Sequence, residues 1–221
     1  MEYRTKIMSI EQEAADIKRF IVVKPKNFKL IPGQSVMVSA NKPGFEELKR
    51  KFAFISLDSD YYIEFLFREF PAHDRFSENL RKVKAGEELI LSDAVGELTF
   101  RSKGIFIASG MGILPFISIF RQLRQDDNLK GNSLIYIAKT KEELILEREL
   151  KLMFEKNCTI MLTRENRAGY EYKKVDESFL KEKVDNFNQQ FYLTGPEIFV
   201  NEIKEVLNKL QASNINIEVI E

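Results

Sequence analysis

One segment near the middle of the chain has the composition of a strand that runs into a glycine turn and then a helix. Gly104–Pro115 reads Gly-Ile-Phe-Ile-Ala-Ser-Gly-Met-Gly-Ile-Leu-Pro. Gly110 and Gly112 carry no side chain that would hold a ligand away, and Pro115 suits the first helical position, where its missing N–H has no partner to lose. Backbone N–H groups and the helix dipole favour an anion at such a turn, so the segment predicts a site for a nucleotide diphosphate.

The turn lacks two features of the common dinucleotide-binding fingerprint. It has no third glycine, and no acidic residue follows at about 20 positions to hold a ribose. The only cysteine and the only histidine of the chain are interpreted as structural. Cys158 precedes an apolar strand and is expected in the core. His73 stands beside Asp74, where a surface or capping role is expected.

The composition indicates a soluble protein of one large domain or two ordinary ones. The 221 residues are 44% hydrophobic and 31% charged, and 34 basic side chains balance 34 acidic ones. No net field therefore attracts nucleic acid or an anionic membrane surface. A single cysteine excludes an internal disulfide and any four-cysteine metal site, and we expect a cytoplasmic location. The uncharged stretch 104–120 is interrupted by glycine, proline and serine, so no membrane span is expected.

Up to Ser102 the chain alternates short apolar segments with turn signals, a pattern typical of an antiparallel barrel or sandwich. The predicted strands are Ile17–Val23, Ser35–Val38, Phe52–Ser56, Tyr61–Phe67 and Glu88–Ser92. Turn signals such as Pro32-Gly33 and Pro43-Gly44 separate them, and one helix is predicted from Ser77 to about Lys82. The first predicted domain covers residues 1–102.

After Ser102 strands and helices alternate, which is typical of a parallel, doubly wound sheet. The predicted strands are Gly104–Ser109, Ser133–Ala138, Thr159–Leu162, Phe191–Leu193 and Asn216–Val219. The predicted helices are Pro115–Arg124, Lys141–Phe154, Glu177–Lys183 and Glu197–Leu210. Such sheets bind ligands beyond the carboxyl ends of their strands, where the turn at Gly110 stands. The second predicted domain, a nucleotide-binding one, covers residues 103–221.

An antiparallel barrel followed by a five-stranded α/β domain that opens with Gly-Met-Gly-Ile-Leu-Pro resembles the ferredoxin–NADP(+) reductase superfamily. The compact bacterial flavodoxin and ferredoxin reductases are the most similar members. Four further stretches match in order and span nearly the whole chain. Arg50–Ser56 resembles the flavin motif Arg-x-Tyr/Phe-Ser/Thr, and His73–Leu80 resembles the stretch that places a flavin diphosphate on a helix N-terminus. Ala138–Ile145 resembles the second nucleotide segment, and Thr194-Gly195-Pro196 stands where the family has Cys-Gly-Pro.

The resemblance implies that the first domain binds FAD, through Arg50, Phe52, Ala53, Arg75 and Ser77. The planar, permanently charged fork of Arg50 suits a diphosphate, and the ring of Phe52 would stack on the flavin. Ser77, as a helix N-cap, would hold the second phosphate together with Arg75. Other interpretations stay open: Arg50 as a solvated charge, Phe52 as a core residue, and Ser77 as a cap alone.

In the second domain the resemblance implies a pyridine-nucleotide site. Gly110-Met111-Gly112 would hold its diphosphate, and Gly195-Pro196 would position the nicotinamide. Thr163-Arg164 resembles the segment that holds the 2′-phosphate of NADP, and a hydroxyl with a guanidinium suits a phosphate dianion. We therefore expect NADP, with NAD possible if Arg164 is only an exposed charge at a strand end.

Two positions depart from the family pattern near the reacting atoms. Ala53 stands where the family presents a hydroxyl to the reactive flavin nitrogen, and Thr194 replaces the cysteine near the nicotinamide. Together with Phe52 they are the candidate catalytic residues. Neither departure excludes a cofactor, because the flavin carries the electron chemistry and the protein chiefly positions it.

The resemblance thus implies an FAD-dependent reductase. It would pass hydride from NAD(P)H to the flavin, and then single electrons to a small carrier protein such as flavodoxin or ferredoxin. Two alternatives stay open. One is the electron-transfer subunit of a larger dehydrogenase, although such subunits usually add a cysteine cluster near the C-terminus. The other is a flavin or nucleotide sensor without turnover, which the departures at Ala53 and Thr194 keep open.

Overall fold

A computed structural model describes residues 1–14, 16–69, 74–96 and 98–220. Backbone proximity groups the chain into two compact units. The first contains Met1–Thr99 with Ile117–Gln122, and the second contains Phe100–Phe116 with Leu123–Glu221. The domain boundary after residue 102 stays a prediction, and the interpretation of His73 falls outside the described residues.

The first unit is an antiparallel barrel. Its strands are β1 (Glu2–Ala14), β2 (Ile17–Val23), β3 (Ser35–Ala40), β4 (Arg50–Ala53), β5 (Tyr62–Arg68) and β6 (Glu88–Ser92). They lie side by side in the order β4-β3-β6-β1-β2-β5. An antiparallel bridge between Phe54 and Phe65 joins the two outer strands, and the N–H of Ile55 donates to the carbonyl of Glu64 at 2.8 Å. The sheet therefore closes on itself.

The 13-residue strand β1 is absent from the sequence prediction. One part of it pairs with β6 and the other with β2, so it holds the barrel together. Thr5 and Ile7 are buried, whereas the residues around them are exposed. Side chains of a strand alternate between two faces. The apolar residues of β1 are therefore separated by polar ones and form no long apolar run that would predict a strand.

Phenylalanine side chains fill the barrel. The ring centre of Phe52 lies 5.2 Å from that of Phe65 and 5.8 Å from that of Phe76. Phe20 stacks on Phe65 at 5.3 Å. Aromatic pairs of this kind bury a large area in a defined orientation. They hold β4 against helix α1 (Arg75–Lys82), and these two elements carry Arg50 and Ser77.

The second unit is a parallel sheet of five strands in the order β11-β10-β7-β8-β9. The strands are β7 (Gly104–Ser109), β8 (Ser133–Ala138), β9 (Cys158–Leu162), β10 (Gln190–Gly195) and β11 (Asn214–Val219). The helices are α2 (Leu114–Gln125), α3 (Glu147–Phe154), α4 (Glu177–Lys183) and α5 (Glu197–Lys209). Among the described residues, no helix is long and apolar enough to cross a membrane.

The predicted helix Lys141–Phe154 is wrong, because the structure breaks it into a 3-10 turn, Lys141–Glu143, and α3. Leu146 has a φ of 53°, in the left-handed region that a continuous helix does not contain. The carboxylate of Glu147 then accepts hydrogen bonds from three side chains, Lys141, Lys151 and Tyr170. Burial opposes its ionisation, but these bonds prevail and lower the pKa of Glu147 to about 2. Tyr170 lies 23 residues further along the chain, so its contact is one that local periodicity does not predict.

Candidate functional site

The predicted nucleotide turn lies at the carboxyl end of β7, the central strand of the parallel sheet. Gly110–Ile113 forms a 3-10 helix that leads directly into α2, so Pro115 is the second residue of α2 and not its first. Met111, between the glycines, is half-buried. In the part of the chain that the structure describes, Ser109 makes no side-chain capping bond to this turn. An uncapped helical N-terminus at a strand end favours an anionic ligand.

The two glycines of the turn have different surroundings. Gly110 has a φ of +56°, and a methyl group added there would meet no described atom within 4 Å. A methyl group added to Gly112 would lie 2.8 Å from the N and Cα atoms of Gly195 and from the carbonyl oxygen of Thr194. The face of Gly110 is therefore open to a ligand. Gly112 is required so that the turn can pack against β10, a role that the sequence interpretation did not give it.

Thr194, on β10, also contacts the glycine turn. Its side chain is fully buried, and its hydroxyl donates to the carbonyl oxygen of Gly112 at 2.6 Å. At Gly195 the φ is +152°, and a methyl group would lie 2.8 Å from Cδ1 of Phe199. Pro196 is exposed and is the N-cap residue of α5. The hydroxyl of Thr194 thus links β10 to the glycine turn. A catalytic role of Thr194 stays a prediction.

Thr163 and Arg164 follow β9 and are exposed. The N–H of Thr163 donates to the carbonyl oxygen of Ala138, and that of Arg164 to the carbonyl oxygen of Lys139, both at 2.9 Å. These bonds continue the pairing of β8 with β9 beyond the strand ends. They place two cationic residues, Lys139 and Arg164, at neighbouring positions on the carboxyl edge of the sheet, an arrangement that suits a phosphate group.

Helix α1 begins differently from the sequence prediction. Asp74, and not Ser77, is its N-cap, and Ser77 is the third residue of the helix. The reason is that Asp74 has an extended backbone (φ −96°, ψ 103°), from which its carboxylate accepts the N–H of Ser77 at 3.2 Å. Arg75, in the first turn of α1, is exposed.

Three donors converge on a single oxygen atom, Oδ2 of Asp74. They are Nη1 of Arg50 at 2.9 Å, the N–H of Ser77 at 3.2 Å, and the hydroxyl of Ser77. Burial opposes ionisation of Asp74, but the bonds from Ser77 and Arg50 prevail and lower its pKa. The guanidinium of Arg50 also lies 4.8 Å from the ring centre of Phe76. Arg50 therefore forms an ion pair with Asp74, and its role as a ligand of the flavin diphosphate stays a prediction.

Phe52 and Ala53 end strand β4. Phe52 is 8% exposed and belongs to the aromatic core of the barrel. Ala53 is also 8% exposed and pairs with Ser35 of β3. Successive residues of a strand point to opposite faces, so Ala53 lies on the face opposite to Phe52. The core interpretation describes Phe52, and its stacking on a flavin stays a prediction.

Comparison with known proteins shows which proteins the chain resembles. Residues 106–205 match the family described as the oxidoreductase NAD-binding domain. The chain is 28% identical over 207 residues to the probable dihydroorotate dehydrogenase B (NAD(+)) electron transfer subunit of Pyrococcus furiosus, covering 92% of this chain and 74% of that one. It is 26% identical over 156 residues to the reductase component of propane 2-monooxygenase of Rhodococcus jostii, covering 67% of this chain and 41% of that one. The chain spans less than half the length of the propane 2-monooxygenase reductase components that it matches.

Solved structures share the fold of the chain. A ferredoxin NADP+ reductase from Neisseria gonorrhoeae with bound FAD and NADP superposes with a TM-score of 0.85 at 20% identity, covering 99% of this chain and 98% of that one. The flavohem-like FAD/NAD binding domain of nitric oxide dioxygenase from Vibrio cholerae gives a TM-score of 0.86 at 17% identity, with 98% of both chains covered. The predicted fold class, an antiparallel barrel and a five-stranded parallel sheet, is confirmed.

Proposed function

Because the chain belongs by its fold and its NAD-binding domain to the ferredoxin–NADP(+) reductase superfamily, we propose that it is a flavin-dependent NAD(P)H oxidoreductase. The observation that carries the proposal is the glycine turn at the end of β7. It lies inside the matched NAD-binding region, its N-terminus lacks a side-chain cap from Ser109, and the face of Gly110 is open to a ligand. NAD(P)H would bind there, and FAD would bind the first unit.

The residues of the first unit fit the diphosphate of FAD. Arg50 and Ser77 supply a guanidinium, an N–H and a hydroxyl that already meet on one anionic oxygen. Arg75 would add a second cation from the exposed first turn of α1. Ala53 would contact the flavin nitrogen at the end of β4. Bound flavin would supply the ability to accept two electrons together and to release them singly.

For the second unit we propose NADPH as the preferred donor. Arg164 and Lys139 stand side by side at the carboxyl edge of the sheet, and both are exposed. A 2′-phosphate carries about two negative charges near neutral pH, so a pair of cations favours it over the ribose hydroxyl of NADH. NADH would still bind through the glycine turn, with lower affinity.

As the electron acceptor we propose a small carrier protein, flavodoxin or ferredoxin. Lys51, Lys82 and Lys84 are exposed on the first unit and offer positive charge to an acidic carrier.

A second candidate function is the electron-transfer subunit of a larger enzyme, because the Pyrococcus furiosus protein matches 92% of this chain. The chain's single cysteine, Cys158, is partly buried at the start of β9, and burial raises the pKa of its thiol to about 11. NADPH-dependent reduction of a purified flavodoxin or ferredoxin tests the first function directly.

The proposal predicts a single FAD per chain. We expect the purified protein to contain or take up FAD and to prefer it to FMN, because FMN offers one phosphate where Arg50, Arg75 and Ser77 can contact two. The absorption spectrum and quantification of the released flavin measure this. Tight FMN binding without FAD affinity would contradict it.

Stopped-flow mixing with NADPH then separates an enzyme from a sensor, since a sensor binds the nucleotide without bleaching the flavin.

We expect Ala53→Ser to speed the reduction of bound FAD by NADPH. The added hydroxyl would supply a hydrogen bond of about 0.5 to 1.5 kcal/mol at the flavin nitrogen, and part of it would lower the barrier, giving a rate about 2 to 10 times higher. Rapid mixing at saturating NADPH measures the rate. Ala40→Ser is the matched control, because Ala40 is a buried alanine at the end of β3 and its variant should react like the parent. An unchanged or slower rate of Ala53→Ser with FAD bound would contradict the prediction.

A further inference from the structure

The oxygen on which three donors converge belongs to the protein itself. Oδ2 of Asp74 accepts from Nη1 of Arg50, from the N–H of Ser77 and from the hydroxyl of Ser77. A guanidinium, a helix N-terminal N–H and a hydroxyl are also the groups that a phosphate oxygen would use. The binding arrangement that the proposed function assigns to the flavin diphosphate is therefore already filled by a carboxylate.

We propose that Asp74 is an internal competitor for the flavin diphosphate: its carboxylate holds the position of a phosphate oxygen and must leave it when FAD binds. The inference rests on the proposed function, because it takes the first unit to be the flavin site. Asp74 then sets the affinity for FAD, since each binding event exchanges one anion for another on Arg50 and Ser77.

A second helix of the chain, α4, also begins with an aspartate cap. Asp176 caps α4 by accepting the N–H of Phe179 at 2.9 Å, three residues along, as Asp74 does with Ser77. Phe179 has no hydroxyl to add, whereas at α1 the hydroxyl of Ser77 and the guanidinium of Arg50 join the same oxygen. Asp176 is thus a matched reference for the capping role alone.

The direction of the change in FAD affinity that we expect for Asp74→Asn follows from charge. A carboxylate beside a diphosphate repels it, and Asn caps a helix about as well as Asp, so Asp74→Asn removes the repulsion and keeps the cap. The side chains of Arg50 and Asp74 are 36% and 27% exposed, so water screens part of the interaction. We expect FAD to bind Asp74→Asn about tenfold more tightly than the parent.

Equilibrium titrations of apoprotein with FAD and with riboflavin, followed by flavin fluorescence, test the proposal. The proteins are the parent, Asp74→Asn, Asp74→Ser as a second neutral cap, and the control Asp176→Asn. Both variants of Asp74 should bind FAD more tightly and should bind riboflavin, which has no phosphate, as the parent does. Asp176→Asn should match the parent for both ligands, and thermal unfolding without ligand checks that each protein is folded.

The outcomes separate the inference from the function on which it rests. If the parent binds FAD and the folded variants of Asp74 bind it equally or less tightly, the competition is wrong and the proposed function survives. If riboflavin affinity rises as much as FAD affinity, the effect does not come from the phosphates and the competition is again wrong. Binding of FAD by the variants of Asp74 but not by the parent would support it most strongly. If no protein binds FAD, the proposed function fails and the inference fails with it.

Discussion

Alanine at Gly112 is expected to destabilise the second unit by about 3 kcal/mol, whereas alanine at Gly110 is expected to cost about 1 kcal/mol. The added methyl group at Gly112 would lie 2.8 Å from backbone atoms of Gly195 and Thr194, which cannot rotate aside as a side chain would. At Gly110 the added methyl group meets no described atom within 4 Å, so the cost is that of a φ of +56° alone. Urea unfolding of both variants measures the difference.

The same pair of variants tests the nucleotide site. Gly110→Ala places a methyl group on the open face of the turn, so it should remain folded and lose at least about tenfold in affinity for NAD(P)H, because the diphosphate can no longer approach the backbone. Titration with NADPH of apoprotein that has been checked for folding measures this. If Gly112→Ala proved as stable as the parent, the close packing on β10 would be wrong. If Gly110→Ala bound NADPH like the parent, the diphosphate would have to bind elsewhere.

Arg164→Ala is expected to weaken NADPH binding selectively. Loss of a charged hydrogen bond to the 2′-phosphate should cost roughly 1.5 to 3 kcal/mol, or about tenfold to a hundredfold in affinity, while the affinity for NADH stays nearly unchanged. The selectivity arises because only NADPH carries the group that the guanidinium would contact. Binding titrations with both nucleotides measure the two affinities side by side.

Arg167 provides the matched control for Arg164. It stands three residues along in the same segment, and its side chain is 48% exposed and forms ion pairs with Glu165 and Glu142. Arg167→Ala removes the same charge from the same surface, and both affinities should stay close to those of the parent. Equal losses for NADPH and NADH in Arg164→Ala, or no loss at all, would make Arg164 a surface charge and would leave NADPH without its proposed advantage.

Most of the helices and strands can be predicted from local sequence patterns. Several have the same bounds in the prediction and in the structure: Ile17–Val23, Glu88–Ser92, Gly104–Ser109, Ser133–Ala138 and Glu177–Lys183. These segments are short and apolar or periodic and end at turn signals, so local composition marks both their type and their limits. The glycine turn was found for the same reason, because a strand, two glycines and a proline are adjacent in the chain.

Features that depend on residues far apart in the sequence are visible only in the folded chain. Strand β1 forms because β2 and β6 pair with it on either side, although polar and charged residues interrupt its apolar ones. The hydrogen bond that Tyr170 donates to Glu147, just after the break at Leu146, joins residues 23 positions apart, which periodicity does not connect.

The candidate site residues also separate into features that the sequence predicts and features that only the fold shows. The family resemblance predicts Arg50 and Ser77 as phosphate ligands, and this stays a prediction, but only the fold shows that Asp74 caps α1 and accepts hydrogen bonds from both. Likewise, a glycine in the sequence indicates only that a side chain is missing. The approach of Gly195 to 2.8 Å distinguishes Gly112, which β10 requires, from Gly110, whose face stays open. Sequence supplies the chemical groups, whereas their partners are set by packing between segments that the chain brings together only on folding.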